Sequence, residues 1–500
     1  MKTRIFVLCA LLLIAESYFA PQCLHCQEGK AIQIGSWVTN PDRSALFEKQ
    51  SDTLFFRESN KGWGTTIVID DCQEFQGIDG FGFALTGGSA GLIMRMSPVS
   101  RKALLQELFS ENGKSIGVSY LRISIGASDL NDFVFSYDDL PDGETDFELK
   151  NFSLGQDLKD VVPVLKEILA ISPDIKILGS PWSAPKWMKT NNNVRGGSLK
   201  RECYDVYARY FVKYIQAMKK EGIAIDAITV QNEPLNSNNT PSMRWVVSEQ
   251  ASFIRDYLGQ AFKKAGITTK IILFDHNCDR PDYPLVLLSD PDVSKYVDGS
   301  GFHHYGGDLS AMGMVHLARP DKNLYFTEQM VTEDPGSPTI DITDPVKRLI
   351  IGAPRNWSKN VILWNLAADP LNDPHTDNGG CSMCQGAITI DGDKVTRNIA
   401  FFTVAHASKF VRPGSVRIAS TNPGDNTISL TMDEAQPGIF RVTVIENTLV
   451  LPNVAFKTRE GRIVLIVAND NWSVNTFNIQ YKGQFVTIQL QPGAVGTYVW

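Results

Sequence analysis

The sequence of 500 residues contains no block of like charges and no apolar run long enough to cross a membrane. Lysine and arginine number 48 against 55 acidic residues, so the net charge is only −7 and no basic patch indicates a nucleic-acid partner. Cysteines number only eight. The C-x-x-C pair Cys381 and Cys384 lacks a second ligand pair outside the N-terminal segment, so we expect no metal site there. A local disulfide or two free thiols remain open for this pair.

The N-terminus carries a targeting pattern. Residues 1–4 begin with a positive charge, and Ile5–Ala15 is an apolar stretch of signal-peptide length. We predict a signal peptide and leader over residues 1–27, and export to the periplasm, the cell surface or the medium. Cys23 and Cys26 leave lipid anchoring open, although no good lipobox precedes either of them.

The rest of the chain divides into three zones by hydrophobic periodicity. Residues 28–76 and 406–500 contain short strand-like runs with period-two alternation between turn residues, which is typical of a β-sandwich. Residues 77–405 instead alternate short apolar runs with amphipathic helical patterns. We therefore predict a catalytic domain over 77–405 and a β-sandwich formed by the two flanking zones.

Eight apolar strand candidates occur in the middle zone: Phe81–Thr86, Tyr120–Ser124, Ile175–Gly179, Ile228–Val230, Ile271–Phe274, Gly301–His304, Leu324–Thr327 and Val361–Trp364. The clearest helical patterns between them are Pro98–Phe109, Asp157–Ile171, Cys203–Gly222 and Ser248–Ala265. Eightfold alternation of strand and helix predicts an α/β fold, a (β/α)₈ TIM barrel. A doubly wound sheet would also alternate, but its phosphate-binding G-x-G-x-x-G motif is missing after the first strand, and we predict no cofactor.

Functional groups of a TIM barrel gather at the carboxyl ends of its strands. Glu233 follows the fourth predicted strand within Asn232-Glu233-Pro234, and Glu328 directly follows the seventh. Taken alone, Glu233 could cap a helix or pair with a surface lysine, and Glu328 could be an exposed strand end. Two carboxylates on one barrel rim, with aromatic and amide side chains around them, indicate glycoside hydrolysis instead.

The pair predicts a retaining mechanism, in which Glu328 is the nucleophile and Glu233 is the general acid/base. That mechanism requires the two carboxyl groups to lie roughly 5 Å apart. Glu328 must be ionised to attack, whereas Glu233 must hold a proton for the leaving oxygen, and its pKa would be raised by burial and by the charge of Glu328.

Other residues near the strand ends have two interpretations each. Trp182, Trp187 and Trp364 are either sugar platforms or core residues. One of the adjacent His303 and His304 either orients a carboxylate or is structural. Arg122 in the second strand is either a partner of Glu328 or part of an ion pair on the barrel floor. Each choice depends on side-chain direction.

Several motifs resemble glycoside hydrolase family 30: Asn232–Pro234, Ser180–Lys189, Gly196–Leu199, Tyr207–Lys213 and Trp364–Ala367. The resemblance runs from about Gly77 to the C-terminus. It implies a (β/α)₈ barrel with a side β-sandwich and the same roles for Glu233 and Glu328. It further implies a substrate-binding set in which Asn232 binds the sugar 2-hydroxyl, the other members being Asp129, Trp182, Tyr305, Trp364 and His304.

Within the family, the substrate stays open between β-1,6-glucan, glucosylceramide or other β-glucosides, and xylan. Gly87 and His304 depart from the glucosylceramidases, whereas the loop 373–384 and residues 231–236 look like β-1,6-glucanases. The segment Leu366–Met383 contains no arginine, which speaks against a xylanase that reads glucuronate. A catalytically inactive sugar-binding protein is a further alternative, but both carboxylates are present.

Overall fold

The computed structural model describes residues 32–58, 62–421, 429–436, 439–445 and 451–500. The predicted leader, with Cys9, Cys23 and Cys26, lies outside these ranges, as do parts of the segment around residues 422–450. In the described part of the chain, no helix is both long and apolar enough to cross a bilayer.

Eight parallel strands close into a barrel, as the sequence predicted: Gly80–Ala84, Tyr120–Ser124, Lys176–Ser180, Ala227–Thr229, Lys270–Asn277, Gly299–His303, Asn323–Glu328 and Ser358–Leu363. We refer to them as the first to eighth barrel strands. The eighth strand pairs with the first and so completes the ring. The largest differences from the predicted bounds are in the fifth strand, which continues to Asn277 instead of ending at Phe274, and in the eighth, which begins at Ser358 instead of Val361.

Helices connect the barrel strands on the outside: Gly87–Arg95, Pro98–Phe109, Val161–Ile171, Tyr204–Lys220, Val247–Phe253, Gly259–Ala265, Asp282–Ser289, Pro291–Ser294, Ser310–Ala318, Thr343–Pro345, Ala353–Arg355 and Ile399–Ser408. π-helical turns at Ile254–Leu258 and Val346–Gly352 join two pairs of these helices into longer ones. Short 3₁₀ turns occur at Gly155–Leu158, Lys186–Met188 and Arg201–Cys203. Helix Tyr204–Lys220 shows why these segments fold: its apolar residues recur at helical spacing and are buried.

The barrel interior is filled below the rim by one buried layer, contributed by six strands: Tyr120, Leu178, Ala227, Ile272, Tyr325 and Ile362. Side chains that alternate along each strand face either this layer or the surrounding helices, so every strand is buried on both faces. Because the layer blocks the interior, a ligand can reach the polar residues only from the carboxyl ends of the strands.

The second domain is a β-sandwich, also as predicted. Its sheet contains Gln33–Thr39, Glu48–Lys49, Leu54–Phe55, Thr65–Gly77, Val416–Thr421, Asn453–Lys457, Ile463–Ala468, Asn475–Tyr481, Gln484–Leu490 and Val495–Val499. Gln33–Thr39 pairs with Val495–Val499, so segments from both flanking zones share one sheet. A hairpin of Ser429–Gln436 and Ile439–Ile445 and a small sheet of Ala367–Ala368, Ile388–Asp391 and Lys394–Arg397 complete the strands that the structure describes.

Candidate active site

A cleft of about 480 Å³ opens at the carboxyl ends of the barrel strands. Its walls combine carboxylates, amides and aromatic rings: Asp129, Glu233, Leu235, Asn236, Ser237, Asn238, Asn239, His276, Asn277, Tyr305, Glu328, Met330, Trp364, Cys381 and Cys384. This mixture suits a sugar, because carboxylates and amides bind hydroxyl groups and aromatic faces stack on the pyranose ring.

Glu233 and Glu328 meet in this cleft, and both are almost fully buried. One carboxylate oxygen of Glu233, one of Glu328 and a ring nitrogen of His303 all lie within 4.8 Å of one another. This separation matches the spacing of retaining glycosidases, about 5 Å, and falls short of the roughly 6.5 Å or more that an inverting enzyme needs to place a water molecule.

The backbone at Glu233 is strained. Its φ of 47° lies in the left-handed region, which a residue with a long side chain seldom adopts. The conformation is held by a hydrogen bond from its backbone N–H to the carbonyl of Asp275 at 3.0 Å. The amide of Asn236 donates to Glu233 Oε2 at 2.7 Å. The strained turn therefore aims the carboxyl group into the cleft, and Asn236 orients it.

Arg122 of the second strand is fully buried and donates to four groups. Its guanidinium contacts Glu328 Oε2 at 2.5 Å, Asn232 Oδ1 at 2.7 Å, Asp275 Oδ2 at 2.8 Å and Ser180 Oγ at 3.2 Å. Arg122 is therefore a partner of Glu328, one of the two roles considered from the sequence, and it also forms a buried ion pair with Asp275. The fork geometry of a guanidinium lets it hold two carboxylates and an amide in one plane, which a lysine could not do.

Asp275 and His303 form the centre of the network. His303 contacts Glu233 Oε1 through Nδ1 at 3.1 Å and Asp275 Oδ1 through Nε2 at 3.0 Å. Thr229 and Thr327 donate to the two oxygens of Asp275 at 2.7 and 2.6 Å. Because ionised Asp275 accepts the proton of Nε2, Nδ1 is the nitrogen that shares a proton with Glu233.

The charges around the cleft shift several pKa values. Burial alone would lower the pKa of His303, but the carboxylates of Glu328, Asp275 and Glu233 raise it to about 9. Burial would raise the pKa of Glu233, but the hydrogen bond from protonated His303 lowers it to about 2. Burial raises the pKa of Glu328, and the positive charges of His303 and Arg122, which act to lower it, only partly offset this effect. The proton shared by this pair therefore rests on His303 before substrate binds, so the raised pKa expected for Glu233 was wrong, because the sequence did not show that His303 would contact its carboxylate.

Trp182 and Trp364 stack on each other beside the cleft, with ring centroids 5.4 Å apart. The guanidinium of Arg122 lies 4.8 Å from the ring of Trp182. Trp182 Nε1 and Asp129 Oδ1 are buried and have no hydrogen-bond partner among the described residues. Burial, with the added charge of Glu328, raises the pKa of Asp129 to about 8. A buried donor and a buried acceptor left unsatisfied suit the hydroxyl groups of a bound sugar.

The structure brings most of the predicted site residues together. Asp129, Tyr305 and Trp364 line the cleft, and Tyr305 donates to Glu328 Oε1 at 3.1 Å. Asn232 and Trp182 contact Arg122 and are not among the lining residues. His304 is not among the lining residues, and its ring faces Arg348 at 3.5 Å.

Trp187 is a core residue whose Nε1 donates to the carbonyl of Asp138 at 3.0 Å. His276 and the amide-rich run 236–239 also line the cleft, although we assigned them no role in the site from the sequence. The roles assigned to the substrate-binding set stay predictions.

Cys381 and Cys384 form a disulfide in the wall of the cleft. Cys384 packs in the same buried cluster as Trp182 and Trp364, and its carbonyl accepts from Asn365 Nδ2 at 3.0 Å. The C-x-x-C spacing was compatible with either a disulfide or two free thiols. Nothing in the sequence pattern predicted that the pair would lie beside the two tryptophans.

Comparison with known proteins agrees with this site. The profile of the glycosyl hydrolase family 30 TIM-barrel domain matches residues 78–411, and that of the family 30 β-sandwich domain matches residues 438–498. An endo-1,6-β-D-glucanase of Neurospora crassa is 35% identical over 405 residues, covering 78% of this chain and 82% of the relative. The lysosomal acid glucosylceramidase of Mus musculus is 31% identical over 385 residues, or 72% of each chain.

A solved structure of an endo-β1,6-glucanase superimposes with a TM-score of 0.80 at 31% identity. It covers 94% of this chain and 99% of its own. The family match spans well over half of the chain and includes both domains of the fold. The chain therefore belongs to glycosyl hydrolase family 30 and is a glycoside hydrolase, as the motifs around Glu233 indicated.

Proposed function

We propose that the enzyme hydrolyses β-1,6-glucosidic bonds of a β-glucan with retention of configuration, with Glu328 as nucleophile and Glu233 as general acid/base. The observation that carries the proposal is the approach of the two carboxylates to within 4.8 Å in the cleft. Their different partners support the division of roles. Glu328 is held by Arg122 and Tyr305, which favours the ionised form, whereas Glu233 shares a proton with His303.

In the first step, Glu328 attacks the anomeric carbon while Glu233 protonates the glycosidic oxygen. The leaving alcohol departs, and a covalent glycosyl ester forms on Glu328. In the second step, Glu233 takes a proton from water, and the resulting hydroxide displaces the ester at the same carbon. Two inversions give net retention. Arg122 and Tyr305 hold the nucleophile in place during both steps.

The sugar would be held by groups whose hydrogen-bonding capacity is unused. Asn232 Oδ1 accepts from Arg122, so its Nδ2 is oriented as a donor for the sugar 2-hydroxyl. Asp129 Oδ1 and Trp182 Nε1 have no partner in the described structure and would pair with hydroxyls on the opposite side of the ring. A substrate that satisfies both atoms gains binding energy that an analogue lacking these hydroxyls loses.

The preference for β-1,6-glucan rests on the Neurospora crassa relative and on the solved endo-β1,6-glucanase, which both carry that activity in their names. Glucosylceramide is the second candidate because of the mouse relative. Product profiling on pustulan, laminarin and glucosylceramide separates them. Oligosaccharides released from pustulan alone support the proposal, and release of ceramide without attack on pustulan refutes it.

The nucleophile is tested with Glu328→Gln, which preserves shape but cannot form the ester. We expect a loss of at least about 10³-fold in kcat. Proton NMR during early turnover of the parent enzyme should show the β-anomer as the first product. Near-normal turnover of the variant would disprove the assignment, and an α-anomer would exclude the two-step mechanism.

The acid/base is tested with Glu233→Ala. Hydrolysis of a glucan should be crippled, because its sugar alcohol needs a proton to leave. A dinitrophenyl glucoside should still form the glycosyl ester, which then stalls for want of a base. Azide needs no base and should restore turnover with a β-glucosyl azide as product. Equal loss on both substrates without azide rescue would show that Glu233 is structural and make Asp129 the next candidate.

We also propose that the enzyme is exported by its N-terminal segment. The support is the sequence pattern alone: the positive start and the apolar stretch Ile5–Ala15. N-terminal sequencing of the protein recovered from each cell fraction tests it. A protein that retains Met1 and stays inside the cell would contradict export, and a lipid-modified Cys23 or Cys26 would show anchoring.

A further inference from the structure

Two tryptophans of the β-sandwich domain project into solvent. The exposed fraction is 96% for Trp63 and 101% for Trp472. Tryptophan is among the more buried residue types, and leaving so large an apolar ring in water is unfavourable. Neither ring stacks on another aromatic ring or on a cation in the described part of the chain. Both rings are thus free to contact something outside this chain.

Trp63 is fixed to the sheet by its two neighbours. Gly62 makes two hydrogen bonds with the side chain of Asn478, at 3.0 and 2.9 Å. Gly64 lies so close to Thr476 that a Cβ atom there would come within 2.2 Å of the Thr476 carbonyl oxygen. The backbone that carries Trp63 therefore lies against the strand Asn475–Tyr481 and presents the ring from a rigid base.

Trp472 lies in the segment that leads into the same strand. It precedes Thr476 by four residues, so the two tryptophans lie on the order of 20 Å apart or less. The side chain of Asn469 donates to the carbonyl of Ser473 at 3.0 Å, which fixes the turn that carries Trp472. A single extended ligand could therefore contact both rings.

The described surface beside the two rings offers hydroxyl and amide groups. Thr476 and Gln489 are cross-strand partners, as are Asn478 and Thr487, and Thr487 and Gln489 are exposed. The nearby carboxylate of Asp470 is already paired with Lys347 at 2.5 Å. Hydroxyl and amide groups next to exposed aromatic rings suit a neutral polyhydroxylated ligand better than a charged one.

We propose that Trp63 and Trp472 form a second glucan-binding surface on the β-sandwich, where the rings stack on glucosyl units of the polymer outside the cleft. The proposal rests on the proposed function in that it takes β-1,6-glucan as the ligand. A polymer bound at this surface keeps its remaining length near the enzyme, which raises the effective concentration of cleavable bonds at the cleft. Short substrates, which cannot reach both places, gain nothing.

The test compares Glu328→Gln with the triple variant Glu328→Gln/Trp63→Ala/Trp472→Ala in binding to pustulan, so that hydrolysis does not interfere. We expect retention on the polymer to fall by about tenfold when both rings are removed. Leu317→Ala in the Glu328→Gln background is the matched control, because Leu317 is 74% exposed on a barrel helix and its loss should leave binding unchanged.

A second measurement uses Trp63→Ala/Trp472→Ala with an active cleft. We expect unchanged kcat/KM on an aryl β-glucoside and a raised KM on pustulan. Unchanged polymer binding and kinetics would overturn the proposal, as would a loss shared by the aryl glucoside. Loss of vesicle binding or of self-association instead of glucan binding would assign the rings to a membrane or to a second copy.

If the parent does not cleave pustulan, the proposed function fails. Polymer binding that still depends on the two rings would then keep this surface as a glucan site.

Discussion

Asp129→Asn should change the pH dependence of stability as well as activity. The carboxyl of Asp129 has a pKa of about 8 in the folded protein and about 3.9 in an unfolded chain. Between these two pKa values the folded state binds a proton that the unfolded state has lost. The free energy of unfolding is therefore highest at low pH and declines as the pH rises towards 8. The decline is about 1.4 kcal/mol per pH unit and levels off above the folded pKa.

Asparagine carries no ionisable proton, so the variant lacks this decline. The difference in unfolding free energy, variant minus parent, should rise from pH 5 to pH 8 by on the order of 4 kcal/mol. Denaturant unfolding of both proteins at pH 5 to 9 measures it, because all other titrating groups are shared. Activity on the glucan should fall by about tenfold or more, because the amide replaces one carboxyl oxygen with an NH₂ group and so changes the hydrogen bonds available to a sugar hydroxyl.

Asp138→Asn is the matched control. Asp138 is also buried with both oxygens unpartnered among the described residues, and burial raises its pKa to about 6, but it does not line the cleft. Its stability difference should therefore level off near pH 6, and its activity should persist. A pH-independent difference at Asp129, or equal loss of activity in both variants, would refute the reasoning.

Three further outcomes follow from the network. Arg122→Lys should lower kcat by about 10²-fold and reduce thermal stability, because an ammonium cannot hold several buried acceptors at once; near-parental kinetics would contradict this. The basic limb of the pH–kcat/KM profile should lie near pH 9, where His303 loses its proton, and should move to lower pH in His303→Asn. Cys381→Ser/Cys384→Ser should raise the KM for the glucan by loosening the wall beside Trp364, with little effect on stability because the closed loop is short. Dithiothreitol should reproduce that effect in the parent only.

The barrel was predictable because its signals are local. Each strand is a short apolar run, each helix has its own periodicity, and the strand ends place Glu233 and Glu328 on one rim without knowledge of any long-range contact. The family motifs then added the surrounding residues, of which Asp129, Tyr305 and Trp364 do line the cleft.

What local patterns could not reveal is side-chain direction at the rim. The fifth strand was predicted to end at Phe274, yet it continues through Phe274 and Asp275 in the left-handed region, with φ values of 72° and 60°. These two residues break the alternation of faces, and Asp275 lies within the polar network below the cleft. The same limit applies to Trp182 and Trp187, which stand five residues apart: one contacts Arg122, and the other packs in the outer core.

The position of Asp275 explains how the site can move a proton in a buried place. Before the first step, Arg122 carries one positive charge, Asp275 and Glu328 each carry a negative charge, and the Glu233–His303 pair with its single shared proton is neutral. When that proton leaves with the alcohol, the pair becomes negative, but Glu328 has become a neutral ester at the same moment. The net charge of the buried network is thus the same on both sides of the step, which avoids the high cost of creating an uncompensated charge away from water. Arg122 contacts Asp275 and Glu328 together, and it therefore keeps one ionised partner throughout the reaction.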